Sequence, residues 1–470
     1  MHKLLKIPSH MNEPNLLTFE SHDKLGLKPF GQKLEHFLMV EHDFVEGSLV
    51  VSLNAQFGAG KTTFLTMWKS DLDKRREAVD SLPKAVIVNA WESDYCGDPL
   101  LSIVNALIKA ANAGTPEKNT EAADKLREAA KDIGWFVVGL ANNMASHWSG
   151  VDPTAAGEFA EAKKHGRQPK IPDFVILYEE RIKALGKLKK TLRQVFGGDQ
   201  PKAFVFVDEL DRCRPDYAIN YLETIKHVFD IHGLVFVLAV DYGQLECSAK
   251  ALFGANLRFP DYFRKFVHRS VSLPEPDDSN LRQLAQHFVS YYLEKQGKRT
   301  SLMNFDGYRL KNIVELVGAL KMPPRQIQET FRIIGHVVAG ETSRGKLLWA
   351  IGVGVIFMAA LKTSEPQMYS NIGKGLASHH EVGKFLIKLL GIEKSNWWFC
   401  VYLTGSGKNE GDDAASRAAN LEKLFRDLEY VKKDEQFDSS TALRGYDGWG
   451  YHYSDRWKEI YQNIESATSY

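Results

Sequence analysis

The chain has 470 residues, enough for two or three domains that each bury a core of their own. Hydrophobic residues make up 44% and charged residues 25% of it, which is the composition of an ordinary globular protein. Its 60 Lys and Arg balance 59 Asp and Glu, for a formal net charge of +1. No overall field therefore favours nucleic acid or a membrane surface, and any contact with nucleic acid must be local.

Cysteine usage and hydropathy indicate the compartment. The four cysteines are scattered without a CxxC pair, which argues against a zinc site or a disulfide framework and fits a reducing cytoplasm. The N-terminus has no apolar core of signal-peptide length. The longest apolar stretch, Leu347–Leu361, spans 15 residues, fewer than the roughly 20 that cross a bilayer. We therefore expect a cytoplasmic protein without a transmembrane segment.

Apolar, β-branched runs separated by helical stretches predict an α/β core. Runs without polar alternation are typical of parallel strands that helices cover on both faces. The pattern therefore predicts a three-layer sandwich built on a parallel sheet. The predicted strands are Leu49–Leu53, Ala85–Val88, Ala203–Val207 and Leu234–Val240, with a weaker fifth at Val267–Leu273.

A long, mostly helical insertion is predicted between the second and third strands. It contains a charged helix at Thr120–Ile133, a loop near Ser149–Gly157 and a longer helix at about Phe174–Phe196. Helical spacing on the longer helix predicts an inward apolar face made of Ile182, Leu185, Leu188, Leu192 and Phe196. A second face is basic and either lies in solvent or meets nucleic acid or anionic lipid; it carries Lys183, Lys187 and Lys190.

A glycine-rich loop follows the first strand and opens a helix. Its glycines let backbone N–H groups converge on phosphate oxygens at a helix N-terminus, as in the P-loop of nucleotide-binding proteins. Lys61 can reach the β- and γ-phosphates, and the Thr62 hydroxyl can ligate Mg²⁺. Ala55 occupies the first position of the GxxxxGK[ST] pattern, where a small residue suffices. The predicted nucleotide-binding residues are Gln56, Phe57, Gly58, Ala59, Gly60, Lys61, Thr62 and Thr63.

Two carboxylates at the end of the third strand indicate hydrolysis. Asp208 is predicted to hold Mg²⁺, and Glu209 to polarise the attacking water as general base. A kinase needs no such base, because its phosphate acceptor is a hydroxyl group, so the pair favours hydrolysis of the bound triphosphate. Asp241 ends the next strand, which in sheets of this class lies between the third strand and the P-loop strand. We expect Asp241 to sense the γ-phosphate; capping of the following helix is the alternative.

Further motifs appear in a fixed order along the chain. Asn89-Ala-Trp-Glu92 follows the second strand, and Asp208-Glu-Leu-Asp-Arg-Cys-Arg-Pro215 follows the third. The remaining elements are Asp23–Phe30, Asp98–Leu100, Ala239–Asp241, Tyr262–Phe266 and Pro323–Ile327. Over roughly residues 20–335, the chain resembles the KAP P-loop NTPases, whose most specific signature reads Asp-Asp-Leu-Asp-Arg-Cys-Arg-Pro. Glu209 replaces the second Asp of that signature and keeps its base chemistry.

The resemblance implies roles for several residues near the site. Arg325 is expected to approach the γ-phosphate from a helical lid, with a surface salt bridge as the alternative. Arg212 or Arg214 would act as an arginine finger in a neighbouring subunit, or both would brace the Asp208–Asp211 loop by ion pairs. Trp91 is expected to be a packing anchor beside the site and not a stack for adenine.

The chain is predicted to divide at the ends of these segments. Residues 1–102 and 197–274 form the P-loop NTPase core, and residues 103–196 form the insertion. Residues 275–361 form the helical lid, and residues 362–470 form a mostly helical C-terminal region to which we assign no role.

The resemblance implies a Mg²⁺-dependent ATPase that acts as a conformational or assembly switch for partner proteins in bacterial antiphage defence. Such a switch would be a homo-oligomer or work with a separate effector protein. One alternative is a nucleic-acid-stimulated motor, which the net charge does not support. Another is an ATP-binding scaffold with slow turnover, against which the Asp208–Glu209 pair argues. Basic side chains beside aromatic ones could indicate a nucleic-acid contact, and Arg264, His268 and Arg269 lie beside such residues. The helical spacing of Phe259, Phe263 and Phe266 instead indicates that the aromatic side chains belong to the core.

Overall fold

The fold is described from a computed structural model of the chain. It covers residues 17–112, 121–131, 174–295, 303, 305–341, 348–406, 414–432, 434–438, 449 and 455–469. The described residues form two compact units: a sheet unit of residues 17–23 and 27–274, and a helical unit that begins at Glu275 and also includes Lys24–Gly26.

A parallel sheet of five strands, in the order β2-β3-β4-β1-β5, forms the centre of the sheet unit. All five predicted strands are confirmed, and β4 lies between β3 and β1 as expected. The register places Asn89 opposite Asp208 and Asn54 opposite Val240, so these residues share the carboxyl-terminal edge. The strands are β1 (Leu49–Asn54), β2 (Lys84–Asn89), β3 (Ala203–Asp208), β4 (Leu234–Val240) and β5 (Arg269–Ser272).

Helices in the sheet unit begin where the sequence supplies caps or prolines. Asn89 and Asp241 cap two of them with their side chains, and Pro215 and Pro260 lie in the first turns of two others. The helices are α1 (Phe19–His22), α2 (Lys28–His42), α3 (Lys61–Arg76), α4 (Ala90–Asp94), α5 (Pro99–Asn112), α6 (121–131), α7 (Phe174–Phe196), α8 (Pro215–Val228), α9 (Tyr242–Phe253) and α10 (Phe259–Phe263).

Strand β3 shows how helices cover both faces of the sheet. Successive side chains of a strand point to opposite faces. On one face, Phe204 and Phe206 lie against Trp68 of α3, with ring centroids 6.1 and 4.7 Å apart. On the other face, Val205 and Val207 join an apolar cluster with residues of α5 and α8. The predicted three-layer α/β sandwich on a parallel sheet is therefore confirmed.

The predicted inward face of α7 is partly wrong. Leu188, Leu192 and Phe196 are buried as expected, but Ile182 is 50% exposed. Ala184 begins the buried row instead, and the four residues follow one another at intervals of four. Ile182 lies two positions before Ala184, about 200° around the helix axis, and so on the opposite side. The predicted loop near Ser149–Gly157 lies outside the described residues.

The amino-terminal edge of the sheet holds polar groups that attach α2. His42 is fully buried, and its Nε2 accepts a hydrogen bond of 3.0 Å from the backbone N–H of Gly233. Its ring stacks on His232 at a centroid distance of 4.0 Å. Burial, and secondarily the neighbouring His232, lowers the pKa of His42. Asp230 Oδ1 accepts a 3.0 Å hydrogen bond from the backbone N–H of Ser48, which precedes β1.

The helical unit packs around one apolar core. Phe357 lies against Trp398 and Trp457, with ring centroids 5.5 and 5.7 Å apart, so residues on both sides of position 361 share that core. Its helices are α11 (Asp278–Val289), α12 (Gly307–Ala319), α13 (Pro324–Glu341), α14 (Trp349–Ser364), α15 (Pro366–Gly373), α16 (His379–Leu390), α17 (Ile392–Gly405), α18 (Ala414–Asp427) and α19 (Arg456–Thr468).

The longest apolar stretch of the sequence belongs to this core. It forms most of α14, whose Val353, Ile356 and Ala360 are fully buried. In the part of the chain that the structure describes, no helix combines the length and the apolar character needed to cross a membrane.

Candidate nucleotide-binding site

The phosphate loop connects β1 to α3. Gly58 and Gly60 have φ values of 84° and 96°, a left-handed conformation that glycine adopts without steric cost. The backbone N–H of Ala55 donates to Val240 O at 3.1 Å, and that of Ala59 donates to Gln56 O at 3.2 Å. The predicted nucleotide-binding run thus wraps the N-terminus of α3, where backbone N–H groups and the helix dipole attract phosphate.

Lys61 is the first residue of α3 and is 9% exposed. Its Nζ donates to the carbonyl oxygens of Ala55 at 2.6 Å and Gln56 at 3.5 Å. Asp211 Oδ2 lies 3.8 Å from the same nitrogen. The ammonium group is therefore held at the phosphate loop, where a terminal phosphate would replace the carbonyl oxygens as its partner.

Asp208 is 3% exposed at the tip of β3. Burial raises its pKa, and the hydrogen bonds from the Thr62 side chain and the Glu209 backbone oppose that rise. Asp208 and Thr62 therefore place two oxygen donors side by side. Mg²⁺ in triphosphate sites takes one or two protein ligands and completes its shell with phosphate oxygens and water. The chemistry of this donor pair fits that ion.

Glu209 has a left-handed backbone, with φ of 60°. This conformation costs a side-chain-bearing residue roughly 1–2 kcal/mol. Its carboxylate contacts two neighbours: Asn89 Nδ2 donates to Oε2 at 3.0 Å, and Arg212 Nη1 lies 3.0 Å from Oε1. The general-base candidate therefore has a fixed orientation at the edge of the sheet, beside Asp208.

Two residues for which no individual role was predicted, Asp211 and Asn54, hold this edge together. Asp211 Oδ2 accepts a 2.9 Å hydrogen bond from the backbone N–H of Asp241. Asn54 Oδ1 accepts one of 2.9 Å from the backbone N–H of Tyr242. Asp241 itself caps α9 and accepts from the N–H groups of Gly243 and Gln244 at 3.1 and 3.4 Å. Helix capping is thus what its side chain does here, and sensing of the γ-phosphate stays a prediction.

The two arginines of the signature form ion pairs within the chain. Arg214 Nε lies 2.9 Å from Asp94 Oδ1, and its backbone N–H donates to Asp94 Oδ2 at 2.9 Å. Arg212 pairs with Glu209, as described above. Bracing of the carboxylate loop is therefore observed, and the role of arginine finger stays a prediction.

Trp91 is not the packing anchor that the sequence led us to expect. Its side chain is 52% exposed, and its ring centroid lies 5.7 Å from the guanidinium carbon of Arg212. A short helix, α4, presents it at the edge of the sheet instead of burying it. The expected core aromatics near β5 are confirmed, because Phe259, Phe263 and Phe266 are all buried.

Arg325 lies exposed in the first turn of α13, in the helical unit. Its approach to the γ-phosphate stays a prediction. Over the described ranges, no three His, Cys, Asp or Glu side chains are grouped in a way that would hold a metal ion by themselves. The Thr62–Asp208 pair supplies only two protein ligands, so it does not form a group of three.

The fold and site define the class of the protein: a nucleoside triphosphatase with a P-loop, built on a parallel α/β sheet. A profile of the KAP family P-loop domain matches residues 30–339, more than half of the chain, and the chain belongs to this family. The family that the motifs indicated is thereby confirmed.

Other comparisons add little. The solved structure of the Aeropyrum pernix ORC2 protein, in ADPNP–ADP complexes, is similar over 94% of this chain and 94% of that one, with 11% identity and a TM-score of 0.36. A score that low carries no argument about this chain. No curated protein matches it.

Proposed function

We propose that this protein hydrolyses ATP in a Mg²⁺-dependent reaction. The observation that carries the proposal is the convergence of four side chains at the carboxyl-terminal edge of the sheet. Lys61 and Thr62 open α3, and beside them Asp208 ends β3 and Glu209 directly follows it. ATP, as opposed to another nucleoside triphosphate, is supported by the family resemblance.

The residues have distinct tasks in this reaction. Backbone N–H groups of the phosphate loop and the Lys61 ammonium bind the β- and γ-phosphates. Thr62 and Asp208 would hold Mg²⁺, which when bound neutralises charge on the phosphate oxygens. Glu209 orients a water molecule and accepts its proton as the water oxygen bonds to the γ-phosphorus. The bond from that phosphorus to the bridging oxygen breaks, and ADP and phosphate leave.

Phosphate release from purified protein tests this assignment. Wild type, Lys61→Ala and Glu209→Gln are compared with ATP and GTP, each with Mg²⁺ or with excess EDTA. We expect turnover by wild type with Mg²⁺ alone, and a loss of about 100- to 10,000-fold in Glu209→Gln with ATP binding retained. Lys61→Ala should lose binding. Wild-type turnover no faster than that of Glu209→Gln would refute hydrolysis and favour a scaffold that only binds ATP.

We further propose that hydrolysis drives a conformational or assembly switch, as a homo-oligomer or with a separate effector protein. The family resemblance supports this part of the proposal. Light scattering after size exclusion, with ADP and with ATP on Glu209→Gln, should give different masses or hydrodynamic radii. Identical behaviour in both nucleotide states would contradict the switch. Stimulation of turnover by DNA or RNA of about ten-fold or more would favour a motor instead.

The cellular setting we propose is cytoplasmic antiphage defence, again on the strength of the family. A bacterial strain that carries the chain with its neighbouring genes should resist phages that infect the same strain carrying Lys61→Ala. Equal plaque counts on the two strains, across a broad phage panel, would contradict this setting.

A further inference from the structure

The guanidinium of Arg212 connects three elements of the nucleotide site. Arg212 lies in a short 3₁₀ turn, Leu210–Arg212, three residues after the general-base candidate. Its Nη1 is 3.0 Å from Glu209 Oε1, and its guanidinium carbon is 4.7 Å from the ring centroid of Phe57. Trp91 faces the same carbon at 5.7 Å. Both rings are within the roughly 6 Å over which a cation attracts an aromatic face.

The exposure of the two rings indicates that their role is to contact Arg212 and not to fill the core. Phe57 is 49% and Trp91 52% exposed, although large aromatic side chains are mostly buried in folded proteins. They come from different parts of the chain: Phe57 from the phosphate loop and Trp91 from α4, directly after β2. Their common partner is the cation that pairs with Glu209.

The negative charge of the carboxylates at the site provides a reason for the position of Arg212. Asp208 and Glu209 are adjacent in the chain, and two charged carboxylates at such close range repel each other. Asn89 is shared between Glu209 at 3.0 Å and Glu92 at 3.3 Å. The left-handed backbone of Glu209 belongs to neither a helix nor a strand. Its side chain therefore depends on partners, and Arg212 offsets the repulsion with a planar group that the rings can orient.

We infer that Arg212 is a positioning residue for Glu209, and that Phe57 couples it to the phosphate loop. The inference rests on the proposed ATP hydrolysis by this site. Arg212 does not touch the nucleotide in this account; it acts through the carboxylate that accepts the proton. An arginine suits this place better than a lysine because its planar group pairs with a carboxylate and stacks on an aromatic ring at once.

Steady-state kinetics of Arg212→Ala and Arg212→Lys test the inference. We expect Arg212→Ala to lower kcat by about ten-fold with KM for ATP changed less than about three-fold, because only the orientation of the base is lost. Arg212→Lys should recover part of the loss, since it keeps the charge and the attraction to the rings but not the planar pairing. Phe57→Leu should lower kcat in the same direction.

Arg258→Ala is the matched control. Arg258 is an exposed arginine that pairs with Asp261 three residues away at 3.1 Å, which is the same spacing as the pair of Arg212 and Glu209. Arg258 lies outside the nucleotide site, so the kcat of the Arg258→Ala variant should equal that of wild type. A thermal melt of every variant shows whether each one is folded.

A double variant separates positioning from direct action. If Arg212 acts through Glu209, then Arg212→Ala combined with Glu209→Gln should be no slower than Glu209→Gln alone. A further ten-fold loss in the double variant would overturn the inference and indicate that Arg212 contacts the nucleotide. Recovery of activity on mixing Arg212→Ala with Glu209→Gln would overturn it too, because it would place Arg212 in the site of a neighbouring copy.

The remaining outcomes distinguish this inference from the function on which it rests. Equal kcat for wild type and Arg212→Ala, with both far above Glu209→Gln, would refute the role of Arg212 and leave hydrolysis intact. Faster turnover by Arg212→Ala would also refute it, since the arginine would then restrain the base. Equal rates for wild type and Glu209→Gln would refute the proposed hydrolysis itself.

Discussion

The two edges of the parallel sheet both carry polar side chains, yet in different states. At the carboxyl-terminal edge, Lys61 and Asp208 are charged groups from which most water is excluded. At the amino-terminal edge, His42 is buried with its pKa lowered, so it stays neutral and accepts one backbone hydrogen bond. Burying charge opposes folding, whereas burying a neutral hydrogen-bonded group does so far less.

We expect this difference in charge between the two edges to separate turnover from stability within the sheet unit. Groups at the carboxyl-terminal edge should be replaceable with little loss of stability but with large losses of turnover. Groups at the amino-terminal edge should show the reverse. Four predictions can break or sharpen this comparison, and they follow in order of expected effect.

Asp208→Asn should have the largest effect, and on turnover alone. Asparagine keeps the shape of the side chain but removes the charge that would hold Mg²⁺, and we expect kcat to fall by about 100-fold or more. Because burial raises the pKa of Asp208, its charged form opposes folding, and the neutral variant should melt at the same temperature as wild type or higher. Phosphate release and a thermal melt measure both quantities; a marked drop in melting temperature would contradict the comparison.

Gly233→Ala should be the most destabilising change at the opposite edge. Gly233 has φ of 102°, and an added Cβ would lie 2.1 Å from the carbonyl oxygen of Phe196. Strain and overlap together should lower the free energy of unfolding by about 3 kcal/mol or more. Urea denaturation measures this change. The fraction that remains folded should hydrolyse ATP at the wild-type rate, and a loss of turnover per folded molecule would show that the edges are coupled.

Asp211→Ala should affect both stability and turnover, and so probes the boundary of the comparison. It removes the acceptor for the Asp241 N–H and the carboxylate 3.8 Å from Lys61. We expect a loss of about 2 kcal/mol from the unpaired backbone group, and reduced turnover. Asp211→Asn is the control, because it keeps an acceptor oxygen. If Asp211→Asn is as unstable as Asp211→Ala, charge and not hydrogen bonding is what matters there.

The smallest effect concerns pH. The pKa of His42 is lowered from 6.5, mainly by burial, so below about pH 6.5 the unfolded chain binds a proton that the folded chain refuses. The contribution of His42 to stability is therefore fully present above that pH and declines as the pH falls below it. Melting temperatures of wild type and His42→Gln over pH 5.5–8 check this. Part of the slope should persist in His42→Gln, since burial also lowers the pKa of His268 and His379. Equal slopes in the two proteins would contradict the role of His42.

The sequence was most informative where structure depends on neighbours along the chain. Strand β4 has the predicted limits, Leu234 and Val240, because a continuous apolar run fits a strand buried on both faces. The phosphate loop was recognisable because its two glycines, lysine and threonine lie within the five residues from Gly58 to Thr62. Asp208 and Glu209 were identified because they directly follow a predicted buried strand, and the end of such a strand fixes where the next side chains lie.

Contacts between distant parts of the chain could not be predicted from the sequence in this way. Asn89 and Glu209 are 120 residues apart, and only the register of β2 with β3 brings them together. The position of Trp91 was wrongly predicted because tryptophan is usually buried, whereas this side chain is 52% exposed and its ring faces the guanidinium of Arg212. Ile182 was misplaced because the apolar stripe of α7 is narrower than the hydrophobic residues suggested.

The ion pair between Asp94 and Arg214 has a consequence for the length of the insertion in the sheet unit. Together with the hydrogen bond from Lys84 N to Lys202 O at 2.9 Å, it joins chain segments on either side of the insertion. The ends of the insertion are thereby fixed by the core itself. Closing a longer loop between fixed ends adds only about 0.6 kcal/mol for each doubling of its length. We therefore expect that a change in the length of this segment leaves the carboxyl-terminal edge of the sheet as it is.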